Sequence, residues 1–330
     1  MLKKIWPSIR IVLSLLLLWK ATSGIDWNSL LHSEIQLQPI WFLLALACMT
    51  LAFLLGGFRW GKFMEAVGFP RRTFSYIGLY FAGGLVNQGL PSTIGGDSYR
   101  AITATHLTQG GELAQEKKLD AQLHQAVDID HAPPRLRLSF AMAFIDRFIG
   151  VVGNNLLGGI GLVIGGATLA IWGQDLGYLV IGATALGLIV LALGLVWTPT
   201  RQLLNQFLQR FQMMNAMPGL QLAFAWPMNT AQAAFAVSIH FLTILTLFCC
   251  LKAYGVNAPI EALMIGLPAL SLLLMLPISI SGWGLREATL SSVLALWGVN
   301  PSITVLASIS YGAITVIAVL PGAYFLLKRK

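Results

Sequence analysis

Long stretches without a charged residue constrain this chain more than any other feature. Runs free of Asp, Glu, Lys and Arg cover residues 37–58, 73–96, 148–174, 176–200, 211–251, 262–285 and 288–327. A helix needs about 20 predominantly apolar residues to cross the hydrocarbon core of a bilayer. Only 10% of the residues are charged, against about 25% in soluble domains. The sequence therefore predicts an all-α polytopic membrane protein.

Basic side chains indicate which loops face the cytoplasm. The formal net charge of +8 would suggest a nucleic-acid partner in a soluble protein, but cationic residues also accumulate in the cytoplasmic loops of membrane proteins. When the apolar runs are assigned as membrane segments so that basic loops face the cytoplasm, most Lys and Arg lie on the cytoplasmic side. The predicted cytoplasmic positions include Arg59, Lys62, Arg71, Arg72 and the polar stretch 106–138. The charge excess is thus explained by topology, and no nucleic-acid partner is expected.

The N-terminal apolar run, residues 11–19, is flanked by basic residues. We interpret it as a first transmembrane helix and not as a signal peptide, because no clear small-x-small cleavage site follows it. The complete topology has about seven transmembrane helices and two re-entrant hairpins. It makes the chain a multi-pass protein of a bacterial inner membrane with both termini in the cytoplasm. No cofactor motif or regular metal-ligand spacing is present, so neither a cofactor nor a metal is expected.

A short motif occurs twice in the chain. Residues 91–100, PSTIGGDSYR, align without a gap to residues 277–286, PISISGWGLR, and share proline, isoleucine, glycine and arginine at identical spacing. In the predicted topology the two hairpins enter from opposite sides, which makes the repeat inverted. Inverted repeats with Pro/Gly-interrupted apolar segments point to a transporter whose site lies near the bilayer midplane. The alternative is that Pro91 and Pro277 only kink ordinary transmembrane helices.

This repeat defines the predicted organisation within a single transmembrane domain, residues 1–330. The first repeat covers about 38–198 and contains a re-entrant hairpin at 73–105. The second covers about 230–327, with its hairpin at 260–298.

Six charged residues remain in or beside the membrane segments: Asp97, Arg100, Asp146, Arg147, Arg286 and Glu287. Inserting each of these side chains into the membrane costs at least about 2.5–3.5 kcal/mol, so each is a candidate functional residue. Asp97 and Arg100 are three residues apart and are predicted to pair on one helix face. The neighbours Asp146–Arg147 and Arg286–Glu287 are predicted not to face each other and to need partners elsewhere.

Glycines precede the two repeated arginines and suggest an anion site. A helix that begins at Gly95–Gly96, or at Gly282, presents unpaired N–H groups and the positive end of its dipole to an anion. At these three glycines and at Gly284 the lack of a side chain is predicted to let a headgroup approach the backbone closely. Arginine supplies a planar fork that suits a phosphate. The predicted substrate-binding residues are the four glycines and the six charged residues, and none is assigned a catalytic role. The alternative is that the charges only pair with one another and hold the repeats together.

Three ordered motifs resemble those of a known family. They are NQGLPSTIGGDSYRA at 87–101, DRFIG at 146–150 and LPISISGWGLRE at 276–287. They resemble the lysylphosphatidylglycerol synthase transmembrane family, the membrane region of bifunctional aminoacyl-phosphatidylglycerol synthase/flippases. The resemblance implies lipid translocation between leaflets, with 95–100 and 282–287 as re-entrant substrate elements. It also implies a stand-alone member without the soluble aminoacyl-transferase domain.

The leading hypothesis is a flippase that moves a phospholipid or a polyprenyl-phosphate lipid between leaflets. Its expected partner is a membrane lipid with an anionic phosphate headgroup, and a homo-oligomer or an associated lipid-synthesis enzyme is also consistent with the sequence. Two alternatives stay open. One is a membrane-embedded lipid-modifying transferase that uses Asp97 or Glu287 as a base, and the other is a scaffold for a lipid-synthesis complex.

Overall fold

A computed structural model describes residues 2–23, 37–90, 94–107, 134–166, 173–196, 228–275 and 279–328, with a few isolated positions between 197 and 227. Within these ranges the regular elements are helices and none is a strand. In chain order they are α1 (Leu2–Ser23), α2 (Pro39–Ala66), α3 (Thr73–Gly89), α4 (Ile94–Thr105), α5 (Pro134–Gly165), α6 (Gly173–Val196), α7 (Met228–Ala253), α8 (Ile260–Leu273), α9 (Leu285–Ala295), α10 (Pro301–Val319) and α11 (Gly322–Leu327).

Four helices of the described part are long and apolar enough to cross a membrane: α2, α5, α7 and α10. This confirms the predicted all-α polytopic membrane fold. The predicted polar stretch 106–138 lies largely outside the described residues, as do Pro91 and Pro277.

Two segments are interrupted helix pairs, at the positions of the predicted hairpins. The helices α3 and α4 have 17 and 12 residues, and α8 and α9 have 14 and 11. At about 1.5 Å per residue none reaches the roughly 30 Å of the hydrocarbon core. The pairs fold back on themselves, because Gly83 lies against Gly96 and Gly266 lies against Leu290. The re-entrant placement in the membrane and the inverted orientation remain predictions.

Two apolar clusters hold the helices together. The larger lies between α2, α7, α8, α9 and α10 and includes the fully buried Leu247, Leu263 and Leu290. The smaller joins the C-terminal half of α2 to α3, α4 and α5, around Trp60 and Met142. The charged residues of the first hairpin, Asp97 and Arg100, lie beside this smaller cluster.

Candidate functional site

Asp146 is the centre of a buried charged network between α2, α4 and α5. Its Oδ1 accepts hydrogen bonds from Nε and Nη2 of Arg59 at 3.0 and 2.7 Å. Its Oδ2 accepts one from Nη2 of Arg100 at 2.8 Å. Asp146 is 2% exposed and the two arginines are 4% exposed. One carboxylate therefore neutralises charge from two other helices and joins them to α5.

Asp97 extends the network to a third arginine. Its Oδ1 accepts from Nε of Arg100 at 3.1 Å, which confirms the predicted pair at i,i+3. Its Oδ2 accepts from Nε of Arg147 at 2.6 Å. Three arginines against two carboxylates leave one net positive charge. Because each of the two carboxylates is shared between two arginines, moving one group changes the hydrogen bonds of the next.

Arg59 corrects the sequence-based topology. We placed it in a cytoplasmic basic loop because the apolar run ends at residue 58, but α2 continues without interruption to Ala66. Arg59 points into the bundle and meets Asp146. Charge patterning ended the predicted helix too early, since a buried counter-charge offsets part of the cost of keeping an arginine inside. One feature of the sequence could have indicated this pairing: no basic residue had been assigned as the partner of Asp146.

The network lies inside the helix bundle, about two to three helical turns from the ends of two of the helices that carry it. Arg59 lies about seven residues before the end of α2 at Ala66, a rise of about 10 Å. Asp146 lies about twelve residues after the start of α5 at Pro134, a rise of about 18 Å. These two helix ends are on the same side, because Arg135 stacks on Phe69 in the turn after α2. With 28 and 32 residues, α2 and α5 are about 42 and 48 Å long. Arg59 lies halfway between the middle and the end of α2, and Asp146 lies about one turn from the middle of α5.

A cavity of about 260 Å³ opens beside this network. Its inner wall carries all five charged groups, and its other wall comes from α7 and the end of α8. Among the residues of that second wall, Leu272 and Met275 are each 45% exposed. The cavity thus runs from a charged interior to an exposed apolar rim.

Arg100 is the group in this cavity with unused hydrogen-bonding capacity. Its guanidinium carbon lies 4.8 Å from the ring centroid of Trp60 and 4.9 Å from that of Tyr80. Two of its nitrogens bind Asp97 and Asp146, and the buried Nη1 has no hydrogen-bond partner among the described residues. A buried donor without an acceptor costs about 1–3 kcal/mol. Because Nη1 has almost no accessible surface, a ligand oxygen would recover this energy only if a neighbouring side chain moved aside.

Arg286, in the second motif, is bound differently. Its Nε and Nη2 donate to Oε1 of Glu287 at 3.0 and 2.8 Å, so the adjacent residues do face each other. Our prediction that they could not was wrong. The motif lies at the first turn of α9, where Oε2 of Glu287 also accepts from the N–H of Gly284 at 2.6 Å. This bond turns the carboxylate back across the helix end and brings Oε1 beside Arg286.

The two repeated arginines nevertheless share an environment. Arg286 lies over the ring of Trp283, with 4.6 Å between guanidinium carbon and centroid, and 5.8 Å from that of Tyr311. Each arginine is therefore held between a tryptophan and a tyrosine and bound to a carboxylate. The two interruptions also touch, because Oγ of Ser281 donates to Oε1 of Gln88 at 2.8 Å. This similarity supports the internal duplication.

The four predicted glycines lie at close contacts with neighbouring helices and segments. A Cβ on Gly96 would overlap the carbonyl oxygen of Gly83, and one on Gly95 would meet Leu90. A Cβ on Gly282 would meet Leu274, and one on Gly284 would meet the backbone of α1. These contacts give the glycines a packing role. Their predicted approach to a headgroup stays a prediction.

Changing Gly96 to alanine is expected to force α3 and α4 apart. The added methyl group would overlap a backbone oxygen, which cannot rotate away, so we expect a loss of about 1–3 kcal/mol in the free energy of unfolding. Gly89→Ala is the matched control, since nothing lies within 4 Å of its Cβ position. Unfolding in mixed detergent micelles, followed by tryptophan fluorescence, measures both. Equal stability of the two variants would contradict the close packing of this hairpin.

Sequence reasoning missed several polar residues of the cavity besides Arg59. Tyr80, Asn154, His240 and Ser271 all contribute to its wall. The amide of Asn154 donates to the carbonyl of Pro268 at 3.3 Å, across to α8. Isolated polar residues in apolar helices carry no spacing signal, and tertiary packing brings these four together. Among the described residues no group of three or more His, Cys, Asp and Glu side chains could hold a metal ion.

Comparison with known proteins adds one finding to this geometry. A family profile described as "Lysylphosphatidylglycerol synthase TM region" matches residues 8–322. The match includes both interrupted segments and every residue of the charged network. No curated protein matches the chain at a significant level.

Proposed function

The chain belongs to the lysylphosphatidylglycerol synthase transmembrane family, and on that premise we propose that it is a flippase that moves a phosphate-bearing lipid between leaflets. Membership of this family connects the protein with membrane lipids. The step from there to transport rests on the cavity. The proposed substrate is a phospholipid or a polyprenyl phosphate, and the proposed activity is translocation without chemical change of the lipid.

One observation carries the proposal: a charged cavity inside the helix bundle opens at an exposed apolar rim. Charged groups inside a membrane protein characteristically mark a substrate pathway. The volume of about 260 Å³ is just below the range of about 300–1,000 Å³ usual for sites that enclose a drug-sized ligand. It suits a headgroup whose acyl or prenyl chains remain in the bilayer.

The charge balance of the cavity suits a phosphate. The net positive charge left by three arginines and two carboxylates matches one phosphodiester anion. Arg100 offers the unpartnered Nη1, and the side chain of Arg147 is 35% exposed and lines the same cavity. A phosphate that receives hydrogen bonds from both would be held by charge-assisted bonds, which are about twice as strong as neutral ones. The apolar rim would leave the lipid chains in contact with the bilayer.

The proposed location of the protein rests on the distribution of its basic residues. We place it in a bacterial inner membrane with both termini in the cytoplasm, as the basic loops indicate. A second copy of the chain or a lipid-synthesis enzyme is its proposed partner.

Changing Arg147 to glutamine is expected to slow transport about tenfold or more, since it removes a charge-assisted hydrogen bond of about 1.5–3 kcal/mol to the phosphate. The variant leaves Asp97 paired with Arg100, so the fold is retained. The measurement uses purified protein in liposomes with fluorescent phosphatidylglycerol, and follows how much of the label becomes accessible to dithionite from outside.

Lys328→Gln is the matched control, because Lys328 is exposed and stacks only on Tyr324 among the ring contacts described. It should transport like the unchanged protein. Transport by Arg147→Gln at the unchanged rate would overturn the assignment of the cavity. Mass spectrometry of the lipid recovered from the same liposomes separates the transferase alternative, since a modified headgroup would identify an enzyme.

A further inference from the structure

The central cavity does not give a ligand direct access to Arg100. Nη1 of this arginine has no hydrogen-bond partner among the described residues and almost no accessible surface. A headgroup in the cavity therefore reaches Nη1 only if part of the surrounding structure moves. The wall opposite the charged network includes Leu274 and Met275, just after the end of α8. The contacts that hold this part of the second hairpin in place therefore bear on access to the cavity.

The last turn of α3 connects the first hairpin with the second. Oδ1 of Asn87 accepts a hydrogen bond from the N–H of Gly96 at 2.7 Å, in the first turn of α4 and one residue before Asp97. Oε1 of the next residue, Gln88, accepts one from Oγ of Ser281 at 2.8 Å, in the segment that leads into α9. Two adjacent side chains thus join the helix that carries Asp97 to the second hairpin.

The segment before α9 packs against the cavity wall. A Cβ on Gly282 would lie 2.8 Å from Cδ2 of Leu274, and Leu274 lines the cavity. Gly282 and Gly284 have φ of 79° and 82°, in the left-handed region that glycine adopts without a steric cost. Small residues often form the hinges of moving segments. A movement at Ser281 would therefore shift the contact that supports Leu274.

Ser281 is held in a strained conformation. Its φ is 49°, and among the described residues it is the only non-glycine with a positive φ. A side chain in this region costs free energy, and such residues persist only where the surrounding structure holds them. Here the hydroxyl of Ser281 is bound to Gln88, and the N–H of the preceding Ile280 donates to Oγ of Ser14 on α1 at 2.8 Å. Loss of the bond to Gln88 would leave the strain free to favour movement of the segment.

We propose that the hydrogen bond between Gln88 and Ser281 is a gate, closed in this structure, which opens to admit a lipid headgroup to Arg100. The inference rests on the proposed transport function. Opening separates the two hairpins at this contact and releases Ser281 from its strained conformation. The segment before α9 then no longer supports Leu274, so the wall opposite the charged network is able to move outward.

A covalent link across the gate tests this inference in the liposome assay. Gln88→Cys/Ser281→Cys is treated with a short bis-maleimide, which links the two thiols, and a matched sample is treated with N-ethylmaleimide, which modifies them without linking. We expect the linked protein to lose transport of fluorescent phosphatidylglycerol and the N-ethylmaleimide sample to retain it. The unchanged protein, which contains three native cysteines, receives the bis-maleimide as a control and should transport as before.

A second measurement detects opening without a lipid. Val151 is half-buried and lines the cavity, so a cysteine there reports access. The full chain is purified in detergent, and modification of residue 151 by N-ethylmaleimide is followed by mass spectrometry. Gln88→Leu removes one hydrogen bond from the closed state, so Gln88→Leu/Val151→Cys should react about fivefold faster than Val151→Cys. Lys328→Gln/Val151→Cys is the matched control and should react at the rate of Val151→Cys.

The two measurements separate failure of the gate from failure of the proposed function. Transport by the linked protein at the rate of the N-ethylmaleimide sample would overturn the gate and leave the flippase proposal intact. Absence of transport in the unchanged protein would contradict the flippase proposal, and the modification rates then decide the gate. Equal rates in Val151→Cys and Gln88→Leu/Val151→Cys would overturn it.

Discussion

Asp146→Ala is expected to lower the free energy of unfolding by about 3–5 kcal/mol, the cost of leaving a buried charge without its partner. The carboxylate is the shared acceptor of Arg59 and Arg100, both of which lie inside the bundle. Without it, Arg59 loses the counter-charge with which it is paired here, and Arg100 retains only Asp97. The measurement is unfolding in mixed detergent micelles, followed by tryptophan fluorescence.

A second substitution distinguishes an uncompensated charge from a simple loss of packing. In Arg59→Met/Asp146→Ala both partners are gone and Arg100 still pairs with Asp97. Replacing both members of a buried pair by apolar groups is often nearly neutral, so the double variant should recover at least half of the loss. Asp175→Ala, at an exposed position in the first turn of α6, should change stability by no more than about 0.5 kcal/mol.

Two results would contradict this account. If Asp146→Ala were as stable as Asp175→Ala, Asp146 would not be neutralising the arginines. If Arg59→Met/Asp146→Ala were less stable than Asp146→Ala, the loss would come from packing and not from charge. The transport assay on the folded double variant then asks whether Arg59 also matters for the lipid.

Gly284→Ala is expected to disrupt the start of α9 and the docking of α1 at a cost of about 2–5 kcal/mol. Two effects add. Gly284 has a φ of 82°, which costs an alanine about 1–2 kcal/mol. A Cβ there would lie 2.6 Å from the backbone nitrogen of Leu18, and such overpacking costs about 1–3 kcal/mol. Unfolding in the same micelles measures the sum.

Gly298→Ala isolates the first of these effects. Its φ of 72° also lies in the left-handed region, but no atom lies within 4 Å of its Cβ position. We expect it to cost about 1–2 kcal/mol and to leave α1 in place. Equal losses in Gly284→Ala and Gly298→Ala would mean that α1 does not pack against the second motif. Protease accessibility of the N-terminal segment provides an independent measure of that docking.

Local spacing predicted part of the site correctly. Asp97 and Arg100 are one helical turn apart, so their pairing follows from the geometry of any helix that contains both. The repeated motif likewise predicted where two apolar segments would be interrupted. The prediction from spacing was wrong for Arg286 and Glu287. Side chains of adjacent residues point apart within a regular helix. At this helix end the two side chains meet, because the carboxylate turns back to the first N–H groups.

The sequence by itself determined that the chain is surrounded by lipid and that it is built of helices. A chain with so few charges can cover little surface with polar groups, so long apolar helices must face lipid. Its duplicated motif, charge distribution and family motifs also pointed to the first hairpin and to lipids. Only the tertiary structure decided which charges meet. Arg59 and Asp146 are far apart in the chain and belong to no local pattern, and their pairing depends on how α2 packs against α5. The net positive charge of the cavity and its exposed apolar rim follow from that packing, because burial and charge balance are properties of residues brought together from separate helices.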